Sequence, residues 1–338
     1  MKYQYGCFSN ILSHYDSIKK LQNGEMVPPR FCTFQTSYVC NHHCFGCAYR
    51  EKLNNRMMKR EEHIRILRKL IDVGVKGFEF SGGGEPLTLP YLSELIEILI
   101  QNDCGFGTLT NGSLFSDRLL DLFAEKGTYV CFSLETPFPE LYCSYKNVPF
   151  SEWERVLKNI GELVRRKKEK KTKLDIGIKF SVNRSFYGKT HYAEGIKLAE
   201  QLGVDNIQFK CLRHWEQELS EQEREKESMI LSSLNASIPV LNHISPLQFV
   251  PQCFLSPLHI VIDWKGDVFI CCYYYFREES HKLGNLLYLT FEEIWYSPNH
   301  WKKIREIDKR QCKQVDCKFF LHHLHVQEAF DNHRIEFL

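Results

Sequence analysis

Three cysteines lie close together in the segment Cys40-Asn41-His42-His43-Cys44-Phe45-Gly46-Cys47, which has a C-x3-C-x2-C arrangement. The segment comes shortly after an apolar run, Phe31–Thr36, that has the pattern of a β-strand. The cysteines are therefore predicted to lie in a loop at the end of the first strand.

The spacing of these cysteines favours an iron–sulfur cluster. Thiolates are the usual ligands of such clusters, and three thiolates hold three irons of a four-iron cluster. The fourth iron then stays open to a further ligand, as in other open metal sites. A zinc site that adds His42 or His43 to the cysteines is the alternative that the spacing also allows.

From the first strand onward, the sequence alternates short β-type runs with amphipathic helical stretches. The predicted strands are Phe31–Thr36, Gly77–Ser81, Gly105–Thr110, Thr128–Glu135, Leu174–Val182 and Asn206–Leu212. Helical periodicity is clear over Glu61–Val73 and Tyr91–Gln101. The alternation predicts an α/β fold, with a parallel sheet or barrel and helices outside it.

Several predicted strands have one apolar and one polar face. In Leu174–Val182, the apolar residues alternate with Asp175, Lys179 and Ser181. A closed (β/α)8 barrel fills its interior with branched apolar side chains. The polar face instead predicts an open, partial (β/α)6 TIM-like barrel that lines a wet cavity.

Further motifs occur at the ends of the predicted strands, in the order found in the radical S-adenosylmethionine (SAM) superfamily. The second strand is followed by Ser81-Gly82-Gly83-Gly84-Glu85-Pro86, which resembles the GGE motif of that family. The next three strands end in Thr110-Asn111-Gly112, Ser133-Leu134-Glu135 and Lys179–Asn183. Together with the C-x3-C-x2-C signature, these motifs resemble the family over roughly residues 30–215.

This resemblance implies a set of site residues and cofactors. It implies a [4Fe-4S] cluster with an open iron site, and SAM bound at that iron. The implied cluster ligands are Cys40, Cys44 and Cys47, and the implied SAM contacts are Gly83, Gly84, Glu85, Ser133 and Lys179. Ser133 and Lys179 are candidates for the SAM carboxylate. The family often has an aromatic residue just before the third cysteine; Gly46 stands there, so no adenine contact is assigned.

A second cysteine group lies near the carboxyl end. Cys253-x12-Gly266-x4-Cys271 surrounds a predicted β-hairpin, and Cys312 and Cys317 follow a predicted amphipathic helix, Phe291–Ile307. The arrangement resembles the auxiliary-cluster domains called SPASM and twitch. Because the longer SPASM cysteine run is absent, the resemblance implies the shorter, twitch-like form with one auxiliary [4Fe-4S] cluster. Its implied ligands are Cys253, Cys271, Cys312 and Cys317.

Two alternatives remain at this second group. Cys272 could replace Cys271 as a ligand, because strand parity does not distinguish them. A structural zinc site with four cysteines is also compatible with the ligand types.

The chain of 338 residues, 43% of them apolar, is long enough for one large globular domain and a smaller one. A charged, helix-prone stretch from Trp215 to Ser232 separates the two cysteine groups. We predict an N-terminal extension over residues 1–30, the partial barrel over 31–215 and a helical linker over 216–250. An auxiliary-cluster domain with a hairpin and a helix is predicted over 251–338.

Composition and charge narrow the possible partners. A net charge of +2 gives no strong attraction to nucleic acid or membrane, and the basic run Leu163–Lys173 is predicted to be a solvated helix end. No segment has the roughly 20 apolar residues that span a bilayer. Met1–Ser17 lacks the apolar core of a signal peptide. A cytoplasmic location is expected, where a chain with 14 cysteines binds metal more often than it forms disulfides.

The resemblance implies an enzyme that cleaves SAM reductively and abstracts hydrogen from a substrate. The polar interior favours a small polar substrate, such as a sugar, aminocyclitol or nucleotide, with net oxidation or rearrangement. The alternative is a maturase for a short peptide or protein; the 39 residues before Cys40 are too few for a separate peptide-recognition domain. A non-catalytic zinc scaffold is a distant third possibility. A flavodoxin- or ferredoxin-type electron donor is implied as partner.

Overall fold

The alternating strands and helices of the sequence form one ten-stranded sheet. The structure, a computed structural model, describes residues 8–211, 218–244, 253, 255–273, 277–308, 312, 317 and 319–331. The strands are β1 (Phe31–Phe34), β2 (Gly77–Phe80), β3 (Gly105–Thr110), β4 (Tyr129–Glu135), β5 (Asp175–Val182), β6 (Asn206–Cys211), β7 (Val240–His243), β8 (His259–Ile262), β9 (Asp267–Phe269) and β10 (Lys282–Asn285). Their order in the sheet is β10-β9-β8-β1-β2-β3-β4-β5-β6-β7.

The helices are α1 (Tyr15–Gln22), α2 (Arg60–Asp72), α3 (Leu92–Gln101), α4 (Asp117–Lys126), α5 (Pro139–Lys146), α6 (Phe150–Lys170), α7 (Lys189–Leu202), α8 (Glu221–Ser232), α9 (Glu278–His281), α10 (Phe291–Trp295), α11 (Pro298–Glu306) and α12 (Phe320–Asp331). Helices α2 to α8 connect the parallel strands β1 to β7; α1 precedes them, α9 lies between β9 and β10, and α10 to α12 follow the last strand. Strands β1 to β7 pair in parallel, in sequence order. The predicted α/β fold with a partial, open barrel is confirmed.

The helices pack on the apolar face of the sheet. On α6, the buried residues Trp153, Val156, Ile160 and Leu163 follow the helical period, so they form one apolar stripe. On β5, Phe180 packs edge-on against Phe209 of β6, with ring centroids 5.7 Å apart. This burial of apolar surface is the main stabilising contribution to the fold.

The opposite face of the strands carries a buried polar network, as the strand parity predicts. The Glu79 carboxylate on β2 accepts hydrogen bonds from Thr33 (3.1 Å), Ser81 (2.9 Å) and the Tyr129 hydroxyl. The His259 ring on β8 lies 2.9 Å from Thr33 Oγ1. Buried polar groups must be hydrogen-bonded to be tolerated, and these residues satisfy one another inside the barrel.

The carboxy-terminal hairpin continues the barrel sheet. β8 pairs in parallel with β1, and β8, β9 and β10 then pair antiparallel. The predicted hairpin is therefore observed, and the unit that carries the second cysteine group is joined to the barrel by main-chain hydrogen bonds.

Two secondary-structure predictions need correction. The single helix predicted over Phe291–Ile307 is two helices, α10 and α11, because Pro298 cannot continue α10 but is well placed in the first turn of α11. Within residues 216–250, predicted as a helical linker, α8 is followed by the four-residue strand β7, which extends the parallel sheet.

The basic run at the end of α6 is matched by acidic neighbours. Arg165 pairs with Glu162, and Lys167 lies within hydrogen-bond distance of the Asp205 carboxylate. Within the described residues, no helix combines the length and apolar character needed to cross a bilayer.

Candidate functional site

The three cysteines of the C-x3-C-x2-C segment lie in a loop just beyond β1, and each is half-buried. Burial raises the pKa of Cys40 to about 12 and raises the pKa values of Cys44 and Cys47 above their ordinary range. The thiols are therefore protonated at neutral pH unless a cationic centre binds them. Metal binding at this loop would release protons, as is usual for thiolate ligands.

The donor set fits a cluster. Its donors are three thiols, the usual ligands of iron–sulfur clusters, and a four-iron cluster spreads three thiolates over three irons. The His42 ring, one of the two histidines that the zinc alternative could use, lies 3.3 Å from Glu152 Oε2 through Nε2. Burial, together with the charge of Lys146, lowers the pKa of His42 to about 4.

The end of β3 anchors the cysteine loop. The Asn111 side chain donates to Asn41 Oδ1 (2.9 Å), and the Asn41 side chain donates to Ser113 Oγ (2.7 Å). The Thr110-Asn111-Gly112 motif at this strand end thus positions the segment between the first two cysteines. The sequence indicates the Thr110-Asn111-Gly112 motif, but it does not indicate that Asn41 is the hydrogen-bond partner of Asn111.

The carboxyl end of α5 anchors the same loop from the other side. The Tyr145 carbonyl accepts from Phe45 N–H (2.8 Å), and the Lys146 carbonyl accepts from His43 N–H (3.1 Å). The last carbonyls of a helix have no partner within the helix, so they are free to bind another segment. Cys44 is held between these two hydrogen bonds.

The glycine loop after β2 lies directly on the segment that leads into the cysteines. Gly84 N–H donates to the Ser37 carbonyl (2.8 Å), and Glu85 N–H donates to the Val39 carbonyl (2.8 Å). A Cβ atom on Gly84 would lie 1.9 Å from the Val39 oxygen. Gly83 has φ of +69°, and a Cβ there would meet the Tyr38 ring at 2.8 Å. Only glycine fits at either position.

The Glu85 carboxylate connects this loop to β3. It accepts hydrogen bonds from Thr110 Oγ1 (2.6 Å), Asn111 N–H (2.8 Å) and Leu87 N–H (3.0 Å). Burial raises the pKa of Glu85, and these donors oppose the rise. Both carboxylate oxygens are therefore engaged within the protein, where they fix the shape of the glycine loop.

The ends of β4 and β5 bring together the two other predicted SAM contacts. Ser133 and Lys179 are half-buried neighbours in the strand register. The Lys179 ammonium lies 3.7 Å from Glu135 Oε1, and Ser181 also donates to the Glu135 carboxylate.

Two residues at this edge were not singled out from the sequence. Glu135 has a φ of +71°, a strained value for a residue other than glycine, of a kind that clusters at functional sites. The Lys146 ammonium donates to the Ser133 carbonyl (2.7 Å) and lies 3.6 Å from Glu135 Oε1. No sequence signal separates Lys146 from the exposed lysines of other helix ends.

The second cysteine group also comes together. The cysteines concerned are all half-buried: Cys253, Cys271, Cys272, Cys312 and Cys317. The pKa of Cys271 lies far above its usual range, because the thiol is hydrogen-bonded with Cys272 and is also buried. The pKa of Cys317 is also raised far above its usual range, mainly by burial and further by the nearby Cys253. The predicted four are neighbours, and Cys272 is close enough to remain an alternative to Cys271.

An aromatic contact joins the turn of the carboxy-terminal hairpin to the segment that leads into the cysteine loop. Trp264 lies in the turn between β8 and β9, and its ring centroid is 5.8 Å from that of Tyr38. Tyr38 in turn packs 5.5 Å from Tyr49, which follows Cys47 by two residues. The turn of the hairpin therefore supports the segment on which the glycine loop rests.

Two family models match separate parts of the chain. The model described as the radical SAM superfamily matches residues 34–181, and the SPASM model, described as an iron–sulfur cluster-binding domain, matches residues 253–318. The first match spans β1 to β5 with both loops of the site, and the second spans the second cysteine group.

Solved structures with the same fold include two peptide-bound proteins. SuiB of Streptococcus suis, bound to the precursor peptide SuiA, has a TM-score of 0.67 and 14% identity, over 92% of this chain and 75% of that one. The protein anSMEcpe with bound AdoMet has a TM-score of 0.63 and 17% identity, over 89% and 96%. Its complex with AdoMet and the Cp18Cys peptide has a TM-score of 0.61 and 16% identity, over 90% and 96%. At these identities the likeness shows a shared fold.

Proposed function

Because the chain belongs to the radical SAM superfamily and carries a SPASM-type iron–sulfur domain, we propose that it is an enzyme that modifies a peptide or protein. Its cofactors are [4Fe-4S] clusters and SAM. When bound, the first cluster supplies the electron that splits SAM into methionine and a 5′-deoxyadenosyl radical, which takes hydrogen from the substrate. The SPASM domain supplies a further centre for electron transfer.

The described side chains support one assignment for the first cluster. Cys40, Cys44 and Cys47 are its ligands in this proposal. They lie on a loop whose Asn41 side chain is bonded to the residues after β3 and whose backbone is bonded to the end of α5. These contacts would position the loop for binding the cluster. Cys253, Cys271, Cys312 and Cys317 hold the auxiliary cluster, with Cys272 as the alternative to Cys271.

The proposed SAM site is the edge formed by the ends of β2, β4 and β5. Gly83 and Gly84 present backbone groups to the methionine part, and Glu85 maintains the loop by its hydrogen bonds to β3. Ser133 and Lys179 are the proposed partners of the SAM carboxylate. Glu135 orients the Lys179 ammonium, since the two groups are 3.7 Å apart.

The observation that carries the choice of substrate is the fold shared with two enzymes solved with peptides bound. The sequence favoured a small polar molecule because the strand interior is polar. In the structure, however, the deep polar groups bond to one another: Glu79 alone accepts from Thr33, Ser81 and Tyr129. That polarity needs no polar ligand to satisfy it, so it no longer favours the small molecule.

Mass spectrometry of candidate peptides tests the proposal. The protein is reconstituted anaerobically with iron and sulfide, then incubated with SAM, a strong reductant and each short peptide encoded beside its gene. We expect one peptide to change mass and to increase 5′-deoxyadenosine formation. Replacing the strong reductant with reduced flavodoxin or ferredoxin tests the proposed type of electron donor in the same assay.

The Cys44→Ala variant is the matched control, and it should give neither product. A panel of sugars, aminocyclitols and nucleotides is run in parallel. If one of these is converted at the expense of SAM while no peptide changes mass, the peptide proposal is wrong and the small-molecule reading is restored.

A further inference from the structure

The Lys146 side chain is a buried charge beside the cysteine loop. Only 3% of the side chain is exposed. Its ammonium donates to the Ser133 carbonyl (2.7 Å) and lies 5.7 Å from the centroid of the Tyr142 ring. The nearest carboxylate, Glu135, is 3.6 Å away. Burying a charge is unfavourable unless opposite charge lies nearby, so the surroundings of Lys146 must compensate it.

Glu135 cannot provide all of that compensation, because it is shared. Its Oε1 atom lies 3.6 Å from the Lys146 ammonium and 3.7 Å from the Lys179 ammonium. Two cations therefore face this carboxylate, so Glu135 is not reserved for Lys146. Lys146 also interacts electrostatically with the Glu85 carboxylate, and further negative charge close to it would stabilise it.

The cysteine loop is the neighbour that can supply this negative charge. The carbonyls of Tyr145 and Lys146 bind the N–H groups of Phe45 and His43, the residues on either side of Cys44. The backbone of Lys146 is thus fixed next to Cys44. Lys146 is therefore a buried ammonium on the residue whose carbonyl is bonded to the loop beside Cys44.

The location at a helix end strengthens the argument. The carboxyl end of a helix carries a partial negative charge, roughly half an elementary charge. The end of α5 therefore disfavours an anionic cluster at Cys44, and a cation in its last turn offsets that effect. Lys146 is the last residue of α5.

We propose that the Lys146 ammonium is the fixed counter-charge of the cluster held by Cys40, Cys44 and Cys47, and that it raises the reduction potential of that cluster. The cluster gains one negative charge when a low-potential one-electron donor reduces it. A buried cation stabilises the reduced form more than the oxidised form, because the attraction is weakly screened in the protein interior. Lys146 would influence the reaction only through the potential of the cluster, so it is a positioning residue and not a catalytic one. The inference rests on the cluster assignment within the proposed function, and not on the identity of the substrate.

Four variants separate charge from hydrogen bonding. Lys146→Met removes both, Lys146→Gln keeps a hydrogen-bond donor without charge, and Lys146→Arg keeps both. Lys52→Met is the matched control: Lys52 follows Cys47 by five residues, but its side chain is 35% exposed and pairs with Glu278 (2.7 Å). Solvent screens such a charge, so its removal should not affect the cluster.

The measurement is the midpoint potential of the first cluster, obtained by redox titration with electron paramagnetic resonance, without SAM or peptide. Iron content is measured on the same samples. The protein with both clusters is used, and the signal of the first cluster is identified as the one that is lost when Cys40, Cys44 and Cys47 are replaced by alanine. We expect more negative potentials for Lys146→Met and Lys146→Gln, and potentials near the parent value for Lys146→Arg and Lys52→Met.

Other results for iron content and midpoint potential would also support or overturn the proposal for Lys146. If the neutral variants take up no iron while Lys146→Arg does, the charge is required for the cluster to assemble, which supports the proposal. Loss of iron in Lys146→Arg as well would show that side-chain shape matters and would overturn it. Unchanged potentials in both neutral variants, or a change in Lys146→Met only, would also overturn it. Failure to find a peptide substrate leaves this measurement unaffected, so the two proposals fail separately.

Discussion

The two cysteine groups are built in different ways. The first lies within eight residues of sequence. The residue after β3 binds its Asn41 side chain, and the end of α5 binds its backbone N–H groups. The second gathers cysteines from Cys253 to Cys317, which come from the segment before β8, the segment just after β9 and segments after α11. Tertiary packing must bring the cysteines of the second group together, whereas those of the first are already close in sequence.

This difference indicates how each site should respond to loss of its metal. The first loop keeps hydrogen-bonded partners independent of its sulfurs, so we expect it to hold its shape without a cluster. The ligands of the second group are separated by long stretches of chain, and a bound cluster would act there as a cross-link that restricts the unfolded chain. The following experiments test this difference between the two cysteine groups.

The largest effect is expected from replacing Cys40, Cys44 and Cys47 together by alanine. The reconstituted protein should contain about eight irons per chain in two four-iron clusters, and the triple variant about four. Because no open iron remains, reductive cleavage of SAM to 5′-deoxyadenosine should be abolished. Iron analysis and chromatography of the reaction mixture measure both. Copurification of zinc without iron would contradict the assignment of both sites.

A large effect is also expected in the second group, where Cys271→Ala and Cys272→Ala are compared. The true ligand is the one whose loss leaves about four irons per chain. We expect that residue to be Cys271, at the position given by the C-x12-G-x4-C pattern. The same variant should also lower the thermal midpoint of unfolding, since the cluster cross-links distant segments. Full iron content in Cys271→Ala with loss in Cys272→Ala would reverse the assignment.

A smaller effect is expected for Gly84→Ala. Its Cβ would lie 1.9 Å from the Val39 oxygen, so that the glycine loop and the cysteine loop must move apart. We expect the free energy of unfolding to fall by about 1–3 kcal/mol, as for other overpacked sites, and SAM to bind more weakly. Calorimetric titration with SAM and chemical denaturation measure these changes.

Gly161→Ala is the control for this variant. Gly161 lies within α6, and its Cβ would meet no atom within 4 Å. Alanine there should stabilise the protein by about 0.5–1 kcal/mol, since glycine is a poor helix former. SAM affinity equal to the parent value in Gly84→Ala would show that the glycine loop does not position SAM.

The smallest effect is expected for Cys131→Ser. Cys131 is buried on the inner face of β4, and burial raises the pKa of its thiol to about 12. It lies two residues before Ser133, about 6.6 Å deeper in the barrel at roughly 3.3 Å per residue. We predict a structural role, with hydrogen abstraction and product formation retained. Accumulation of 5′-deoxyadenosine without product would instead identify Cys131 as a hydrogen donor to the substrate.

The sequence was sufficient to predict the barrel, because its strands and helices are indicated by patterns of neighbouring residues along the chain. The six strands β1 to β6 lie within one or two residues of their predicted bounds, since each is an alternating or apolar run between helical patterns. The strand β7 was missed because four residues, Val240–His243, are too few to establish a period. The break between α10 and α11 was missed because the apolar periodicity continues past Pro298.

The candidate site likewise contains some residues that the sequence predicts and others that only the folded structure reveals. Its cysteines and glycines form recognisable spacings, so the sequence alone predicts them as site residues. Glu135 and Lys146 gain significance from contacts between β4, β5 and α5, which no spacing along the chain encodes. Trp264 is likewise ordinary in sequence, and only the pairing of β8 with β1 brings its turn against Tyr38.

The close approach of Gly84 to Val39 has a consequence for protein engineering. Because backbone touches backbone there, the glycine loop and the cysteine loop interlock as one module. A chimera that takes one loop from a relative and keeps the other would combine surfaces that were not shaped for each other. Grafting this site onto another scaffold would require both loops, and the Ser37–Val39 segment between them, to be transplanted as a unit.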